Sequence, residues 1–233
     1  MTDPPHRNRA LHEAEEITSW VERVLPFWEP QLVVLLAIVI DVALPDRLSP
    51  LRPYWLLPAL EGALLVVLVI ASPQARVRHS MLRRHSALGL IALVSAANIV
   101  SLGLLVHYLL KPHGNVSGHS LILAGAGLWL TNVLLFGLWY WQLDRGGPLA
   151  RKLDEGQTPD FLFPQMTEPR WAPEDWHPQL VDYLYVSFTN ASAFSPTDTM
   201  PLTPLAKWLM SAQALASLVT VGLVVARAVN ILA

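Results

Sequence analysis

Two carboxylates lie within long apolar runs of the chain. Asp41 is near the end of the run at residues 30–44, and Glu61 is inside the run at 54–72. An ionisable side chain at bilayer depth is energetically costly and by default marks a functional site. Because a short connection joins the two runs, we expect antiparallel neighbours in which Asp41 and Glu61 share a proton or bind a cation. In the structural alternative, Asp41 reaches the interface and protonated Glu61 bonds a neighbouring helix.

No other residue pattern is typical of an enzyme or a metal site. The chain has no cysteine, which excludes thiolate nucleophiles and cysteine-ligated metals. The sequence lacks the G-x-S-x-G, H-E-x-x-H and phosphate-binding glycine-rich motifs. The acidic residues Asp154, Glu155 and Asp160 are better explained as a solvated loop face than as a metal site. We therefore expect neither catalysis nor a resident cofactor or metal.

The composition narrows the protein class. Of 233 residues, 53% are hydrophobic and only 15% are charged, whereas soluble domains carry about 25% charged residues. The 16 Lys and Arg residues are balanced by 18 Asp and Glu residues, so no basic surplus is available for nucleic acid. These values exclude a water-soluble globule and predict a multi-pass protein of the inner or plasma membrane, with lipid as its surroundings.

Five apolar segments predict an all-α integral membrane protein with five transmembrane helices. The segments are 30–44, 54–72, 86–110, 119–143 and 205–232. Residues 1–29 contain an acidic amphipathic stretch that we expect along the membrane interface. Residues 30–110 then form a three-span N-terminal module.

Basic residues predict the orientation of these spans. They concentrate in the N-terminus, in the second connection (residues 76–84) and in the fourth connection. Cytoplasmic loops carry an excess of Lys and Arg, so the N-terminus and both connections are expected in the cytoplasm. The final helix then runs outward and leaves the C-terminus outside.

The fourth connection contains an unusual segment. Residues 144–179 are polar and proline-rich, and the apolar stretch 180–194 that follows is too short to cross a bilayer. A polar turn with Pro196 and Pro201 leads into the last helix. A short helix, a polar turn and a full span together predict a re-entrant loop, which membranes tolerate only where protein or water surrounds the non-helical backbone.

The re-entrant stretch carries a resemblance. Residues 183–192 read YLYVSFTNAS, 193–198 read AFSPTD and 201–203 read PLT. They resemble the pore segment of pore-loop cation channels, the potassium-channel superfamily, in which A-L-Y-F-S-F-V-T-L-T leads into T-V-G-Y-G-D and x-x-P-x-T. The positions that match without a gap are Leu184, Tyr185, Ser187, Phe188, Asp198, Pro201 and Thr203, followed by Lys207, Gln213 and Ser217 at positions common in inner helices.

The resemblance implies a pore-loop module over residues 119–233. Its parts would be an outer helix at 119–143, a polar loop at 144–179, a pore helix at 181–192, a filter-like turn at 193–199 and an inner helix at 204–232. The pore-helix residues are then Tyr185, Ser187, Phe188 and Asn190, and the inner-helix hinge is Ser217. Four copies of the chain would surround one pore.

The filter-like turn departs from the family pattern. Its residues are Ala193, Phe194, Ser195, Pro196, Thr197 and Asp198. Ser195 and Thr197 occupy the two glycine positions, and Pro196 replaces the tyrosine, so a ladder of filter carbonyls is not expected. Rings of Ser195 and Thr197 hydroxyls with the Asp198 carboxylate would instead favour cations with weak selectivity.

The expected function is therefore a homotetrameric channel for monovalent cations. Two alternatives stay open from the residues alone. One is a non-conducting pore-loop protein that senses or binds a partner through residues 144–179. The other is a proton-coupled transporter that uses Asp41 and Glu61.

Overall fold

The computed structural model describes residues 29–43, 59, 62, 63, 66, 80–110, 118–153, 158–173, 176–193 and 198–232. These residues are mostly helical, as the sequence predicts. The helices with defined bounds are α1 (Glu29–Ala43), α2 (Ser80–Leu110), α3 (Gly118–Leu143), α4 (Pro148–Leu153), α5 (Leu180–Ala193) and α6 (Pro204–Leu232).

Three of these helices are long and apolar enough to cross a membrane. The qualifying segments are Ala87–His107 in α2, Ile122–Gly146 at α3 and Pro204–Val229 in α6. They coincide with the third, fourth and fifth predicted spans. Helix α1 covers the first predicted span with 15 residues. Of the second predicted span, only positions 59, 62, 63 and 66 are described, and all four are helical.

Helix α3 is the centre of the described structure and contacts α1, α2, α5 and α6. It contains no Asp, Glu, Lys or Arg, which suits a helix that faces protein or lipid rather than water. Gly137 allows a close crossing with α5, because a Cβ there would lie 3.2 Å from the Leu184 Cα atom. Gly125 similarly faces Val224 of α6.

One side of α3 packs against α1 and α2 through aliphatic side chains. The buried members of this cluster are Val33, Val34, Ala37, Ala87, Ile91, Val94, Ala97, Leu134, Leu135, Leu138 and Leu180. A hydrogen bond between side chains, from the Trp139 indole to the Ser95 hydroxyl (3.0 Å), crosses from α3 to α2.

The predicted polar loop contains defined local structure. A 3₁₀ turn at Asp144–Gly146 precedes α4, and β1 (Phe161–Leu162) pairs antiparallel with β2 (Met200–Pro201). The register places Phe161 opposite Pro201. The sequence does not predict this ladder, because strands of two residues show no periodicity. Phe161 and Phe163 are buried beside Tyr183, so this part of the chain closes over one end of the helices.

Helix α5 runs back along α3 from that end. The Tyr183 side chain bonds Asp144, just after the last residue of α3, and the Ser187 hydroxyl bonds the Val133 carbonyl. Farther along, the Ala191 carbonyl meets Ser217, in the middle of α6. The chain then returns to the end of α3, where Thr203 bonds Asp160 beside Asp144. We call residues 180–193 together with 198–203 the re-entrant segment.

Candidate functional site

The filter-like turn is described only at its two ends. Ala193 is the last residue of α5 and is exposed, and Asp198 on the return is also exposed. Residues Phe194, Ser195, Pro196 and Thr197 lie outside the described residues. The structure therefore places Ala193 and Asp198 at the surface of a single chain, where further chains or water can reach them.

The four predicted pore-helix residues divide between two faces of α5. Tyr185 and Phe188 are 55% and 48% exposed, whereas Ser187 and Asn190 are buried. Helical periodicity explains this division, because residues three and four apart share a face. The buried face, with Tyr183 as a further member, contacts α3 and α6.

The buried face of α5 forms a polar network around Gln213 of α6. The Gln213 amide nitrogen donates to the Ser187 hydroxyl (2.6 Å) and the Ser187 carbonyl (3.0 Å). Its amide oxygen accepts from Asn190 (2.8 Å) and from the Tyr140 hydroxyl (2.5 Å). Asn190 also donates to the Met210 carbonyl (2.9 Å). Gln213 thus uses both amide donors and bridges three helices.

Ser217, the predicted hinge, lies inside the uninterrupted helix α6. Its hydroxyl donates to the Ala191 carbonyl near the end of α5 and accepts from the Trp129 indole of α3 (2.7 Å). The Trp129 ring also meets Phe188 edge to face, with 5.9 Å between ring centres. The last turn of α5 is therefore joined to the middles of both α3 and α6.

Two aspartates that the sequence does not distinguish lie at the other end of α5. Asp144 is completely buried; its carboxylate accepts from the Tyr183 hydroxyl (2.5 Å) and from the Asp160 backbone N–H (2.8 Å). Asp160 is half-buried rather than part of a solvated face, because its carboxylate accepts from Thr203 (2.6 Å) and the Arg145 N–H (2.9 Å). Asp154 and Glu155 lie outside the described residues.

Two arginines surround the buried Asp144. The Arg145 Nε atom lies 3.6 Å from its carboxylate. Arg151 donates to the carbonyls of Trp141 (2.6 Å) and Asp144 (3.1 Å), and its guanidinium lies 5.0 Å from the centre of the Tyr183 ring. Burial lowers the pKa of Arg151, and its neighbours Tyr183 and Asp144 oppose that shift. A buried carboxylate needs such partners, because an unpaired charge is expensive to bury.

The predicted pair of membrane carboxylates lies outside the side chains that the structure describes. Asp41 lies in the last turn of α1, where its side chain is not described, and Glu61 lies outside the described residues. Within the described part of the chain, no group of three or more His, Asp or Glu side chains is arranged to hold a metal ion.

No protein-family model, no curated protein and no solved structure matches this chain. Sequence reasoning points to Ser187, Asn190 and Ser217, but misses Tyr140, Asp144 and Asp160. None of these three belongs to the resemblance, and each bonds a residue that is distant in the chain.

Proposed function

We propose that this protein is a subunit of a homotetrameric membrane pore that passes monovalent cations with weak selectivity. One observation carries the proposal. Helix α5 begins beside the end of α3, and its last turn bonds Ser217 in the middle of α6. The return at Thr203 lies back beside Asp160. If α3 and α6 cross the bilayer, α5 ends near its middle.

A helix that ends near mid-membrane requires an aqueous or protein environment. The last carbonyl groups of a helix have no partner within the helix, and lipid cannot satisfy them. Ser217 satisfies one, that of Ala191. Ser192 and Ala193 are exposed in the single chain. Copies of the same chain around a water-filled axis would provide the missing environment, and one pore loop per chain supports a ring of four.

The charge at this position favours cations. The C-terminal end of a helix carries a partial negative charge of about half an electron. Asp198, exposed on the return, adds a carboxylate at the proposed mouth. Hydroxyls of Ser195 and Thr197 complete the proposed lining. Without the glycine-based carbonyl ladder of potassium filters, such a lining admits cations but discriminates little between potassium and sodium.

We propose that the protein lies in the cell membrane, with its N-terminus and the segment around Thr158 in the cytoplasm. Reporter fusions at Thr158 and at the C-terminus test the orientation. The positive-inside rule predicts cytoplasmic activity at Thr158 and periplasmic or extracellular activity at the C-terminus. A cytoplasmic C-terminus would reverse the placement of the pore loop.

The conduction test uses purified protein in liposomes. We expect potassium and sodium flux at similar rates, and a several-fold lower flux in Asp198→Asn. Glu168→Gln is the matched control, because it makes the same carboxylate-to-amide change in the polar loop, outside the filter-like turn, where Glu168 pairs with the neighbouring Arg170. Equal loss in both variants would show that Asp198 has no special position. A monomer or dimer in the membrane would exclude the shared pore.

A second candidate is a non-conducting sensor of the same architecture. The observation that favours it is the structured segment at 158–173, which presents Trp171 with 65% of its surface exposed. Tetramers that pass neither potassium nor sodium would support this candidate. Proton-coupled uptake that is lost in Glu61→Gln and kept in Asp198→Asn would instead indicate a transporter.

A further inference from the structure

Both ends of the re-entrant segment are held at one place in the fold. Tyr183, in the first turn of α5, donates its hydroxyl to the fully buried carboxylate of Asp144. Thr203, just before α6, donates to the carboxylate of Asp160. The Asp160 carbonyl also accepts from the Leu202 N–H (2.9 Å). The start of the segment is therefore bound to one aspartate and its return to the other.

The two aspartates are linked by hydrogen bonds from backbone N–H groups to their carboxylates. The Asp160 N–H donates to the Asp144 carboxylate (2.8 Å), and the Arg145 N–H donates to the Asp160 carboxylate (2.9 Å). Arg145 adopts a left-handed conformation, with φ of 49°. A non-glycine residue is seldom found in that conformation, which persists only where the surroundings determine it. The strained backbone at Arg145 indicates that the link between the two aspartates stabilises the fold by more than the strain destabilises it.

We propose that Asp144 and Asp160 are positioning residues that fix α5 relative to α6, and that the ion selectivity of the pore depends on this position. We call Asp144, Asp160, Tyr183 and Thr203 the aspartate clamp. The role in selectivity rests on the function proposed above; the role in positioning does not. Deep in the bundle, Gln213 and Ser217 already join α5 to α6. The clamp adds a second attachment at the opposite end of α5, so that the helix cannot pivot about the deep contacts.

The chemistry of the clamp suits this role. A buried carboxylate accepts several hydrogen bonds at once, and bonds to a charged acceptor are shorter and about twice as strong as neutral ones. Asp144 therefore resists separation from Tyr183 more than a neutral side chain would. The Arg145 guanidinium, with its Nε atom 3.6 Å from the Asp144 carboxylate, compensates that charge, and Arg151 donates to the Asp144 carbonyl.

The first test measures the position of α5 directly. Because the chain has no cysteine, spin labels can be placed specifically at Val181→Cys and Leu215→Cys, two exposed apolar positions on α5 and α6. Labelled protein is diluted with an excess of unlabelled protein, so that distances within one chain dominate. We expect one narrow distance distribution, which becomes broad in Tyr183→Phe and in Thr203→Val.

Matched variants separate the clamp from general destabilisation. Tyr185→Phe removes an exposed hydroxyl two residues from Tyr183, and Thr203→Ser keeps both the bond to Asp160 and the bond from the Ala206 N–H. Both should retain the narrow distribution. An unchanged distribution in Tyr183→Phe and Thr203→Val would overturn the positioning role, whether or not the protein conducts.

The second test measures the ratio of potassium to sodium permeability in liposomes. We expect this ratio to shift in Tyr183→Phe and Thr203→Val while flux persists, and to stay at the wild-type value in Thr203→Ser, which keeps the bond to Asp160. A loss of folded protein would lower both fluxes together and leave the ratio unchanged. A constant ratio with broadened distances would overturn the link to selectivity. If the wild-type protein passes no ion, the proposed function fails, whereas the distance measurements still decide the positioning role.

Discussion

On one side of α3, the helices α1 and α2 pack mainly through aliphatic side chains, whereas on the other side α5 and α6 add hydroxyl, amide and indole groups to their apolar contacts. The first interface is an aliphatic cluster with a hydrogen bond from the Trp139 indole to the Ser95 hydroxyl. The second has a network centred on Gln213. One central helix thus supports two interfaces of different chemistry.

The difference matters because the hydrocarbon tails of lipids are as apolar as a leucine side chain. Helices in a bilayer are not driven together by the hydrophobic effect, and their association depends on close packing and interhelical hydrogen bonds. An aliphatic interface tolerates sliding, since many arrangements have similar contact energies. A hydrogen-bonded interface allows few arrangements. We therefore expect the precise geometry, and the function that needs it, on the side of α5 and α6.

The largest effect is expected from Gln213→Leu. This change keeps the side-chain volume but removes two hydrogen bonds. The Tyr140 hydroxyl loses the amide oxygen to which it donates, and the Ser187 hydroxyl loses the amide nitrogen from which it accepts. A buried polar group without a partner costs about 1–3 kcal/mol, so we expect a loss near ~3 kcal/mol of unfolding free energy in mixed micelles.

A double variant tests the reason for that loss. Adding Tyr140→Phe to Gln213→Leu removes the unpaired hydroxyl, and replacing both partners by apolar groups is nearly neutral. The double variant should therefore be more stable than Gln213→Leu alone. Additive losses would mean that the two side chains do not act through their common bond.

Gly137→Ala is expected to have the next largest effect. The new Cβ would lie 2.6 Å from the Leu184 Cδ2 atom and 3.2 Å from its Cα atom, and a backbone atom cannot move aside as a side chain can. Overpacking of this kind costs about 1–3 kcal/mol. Gly222→Ala in α6 is the control, because nothing lies within 4 Å of the added Cβ. Equal unfolding free energies in the two variants would contradict the close crossing of α3 and α5.

A smaller effect is expected on the aliphatic side. Ile91 of α2 is buried in the cluster, and Ile→Val changes in cores cost about 0.5–1.5 kcal/mol. Ile91→Val should lower the unfolding free energy by ~1 kcal/mol and leave the distance between Val181 and Leu215 unchanged. A change in that distance would show that the two interfaces are coupled through α3.

The helices could largely be predicted from the sequence. The pattern predicts 119–143, 181–192 and 204–232, and the structure has Gly118–Leu143, Leu180–Ala193 and Pro204–Leu232. These runs are bounded by polar or proline residues, so their ends are marked. Helix α2 begins earlier than expected, at Ser80, because apolar content marks only the part of a helix suited to lipid and not its polar extension through Arg83 and Arg84.

The hydrogen-bond partners of the side chains within the site could not be predicted from the sequence in the same way. Ser187 and Asn190 are recognised from the resemblance, but their contacts depend on how three helices cross. Asp144 directly follows α3, whose last turns are rich in aromatic residues, and a charged residue at such a helix end normally faces water. Its burial depends on Tyr183, 39 positions later in the chain. Burial alone does not identify a bonded amide either, since the Asn98 Oδ1 and Asn132 Nδ2 atoms are buried without a hydrogen-bond partner.

The smallest effect is expected from Ser217→Ala, which removes the hydroxyl between α5, α3 and α6. Interhelical hydrogen bonds in membranes average about 0.6 kcal/mol, so the loss of unfolding free energy should be near that value. Thr220→Val is the control, because the Thr220 hydroxyl bonds only the Ala216 carbonyl of its own helix. If Ser217 joins α5 to the rest of the molecule, Ser217→Ala should also speed amide exchange in the last turn of α5, and Thr220→Val should not. Equal exchange in both variants would mean that the end of α5 is held by Asn190 and Gln213 alone, and the polar interface would then be specific only around Gln213.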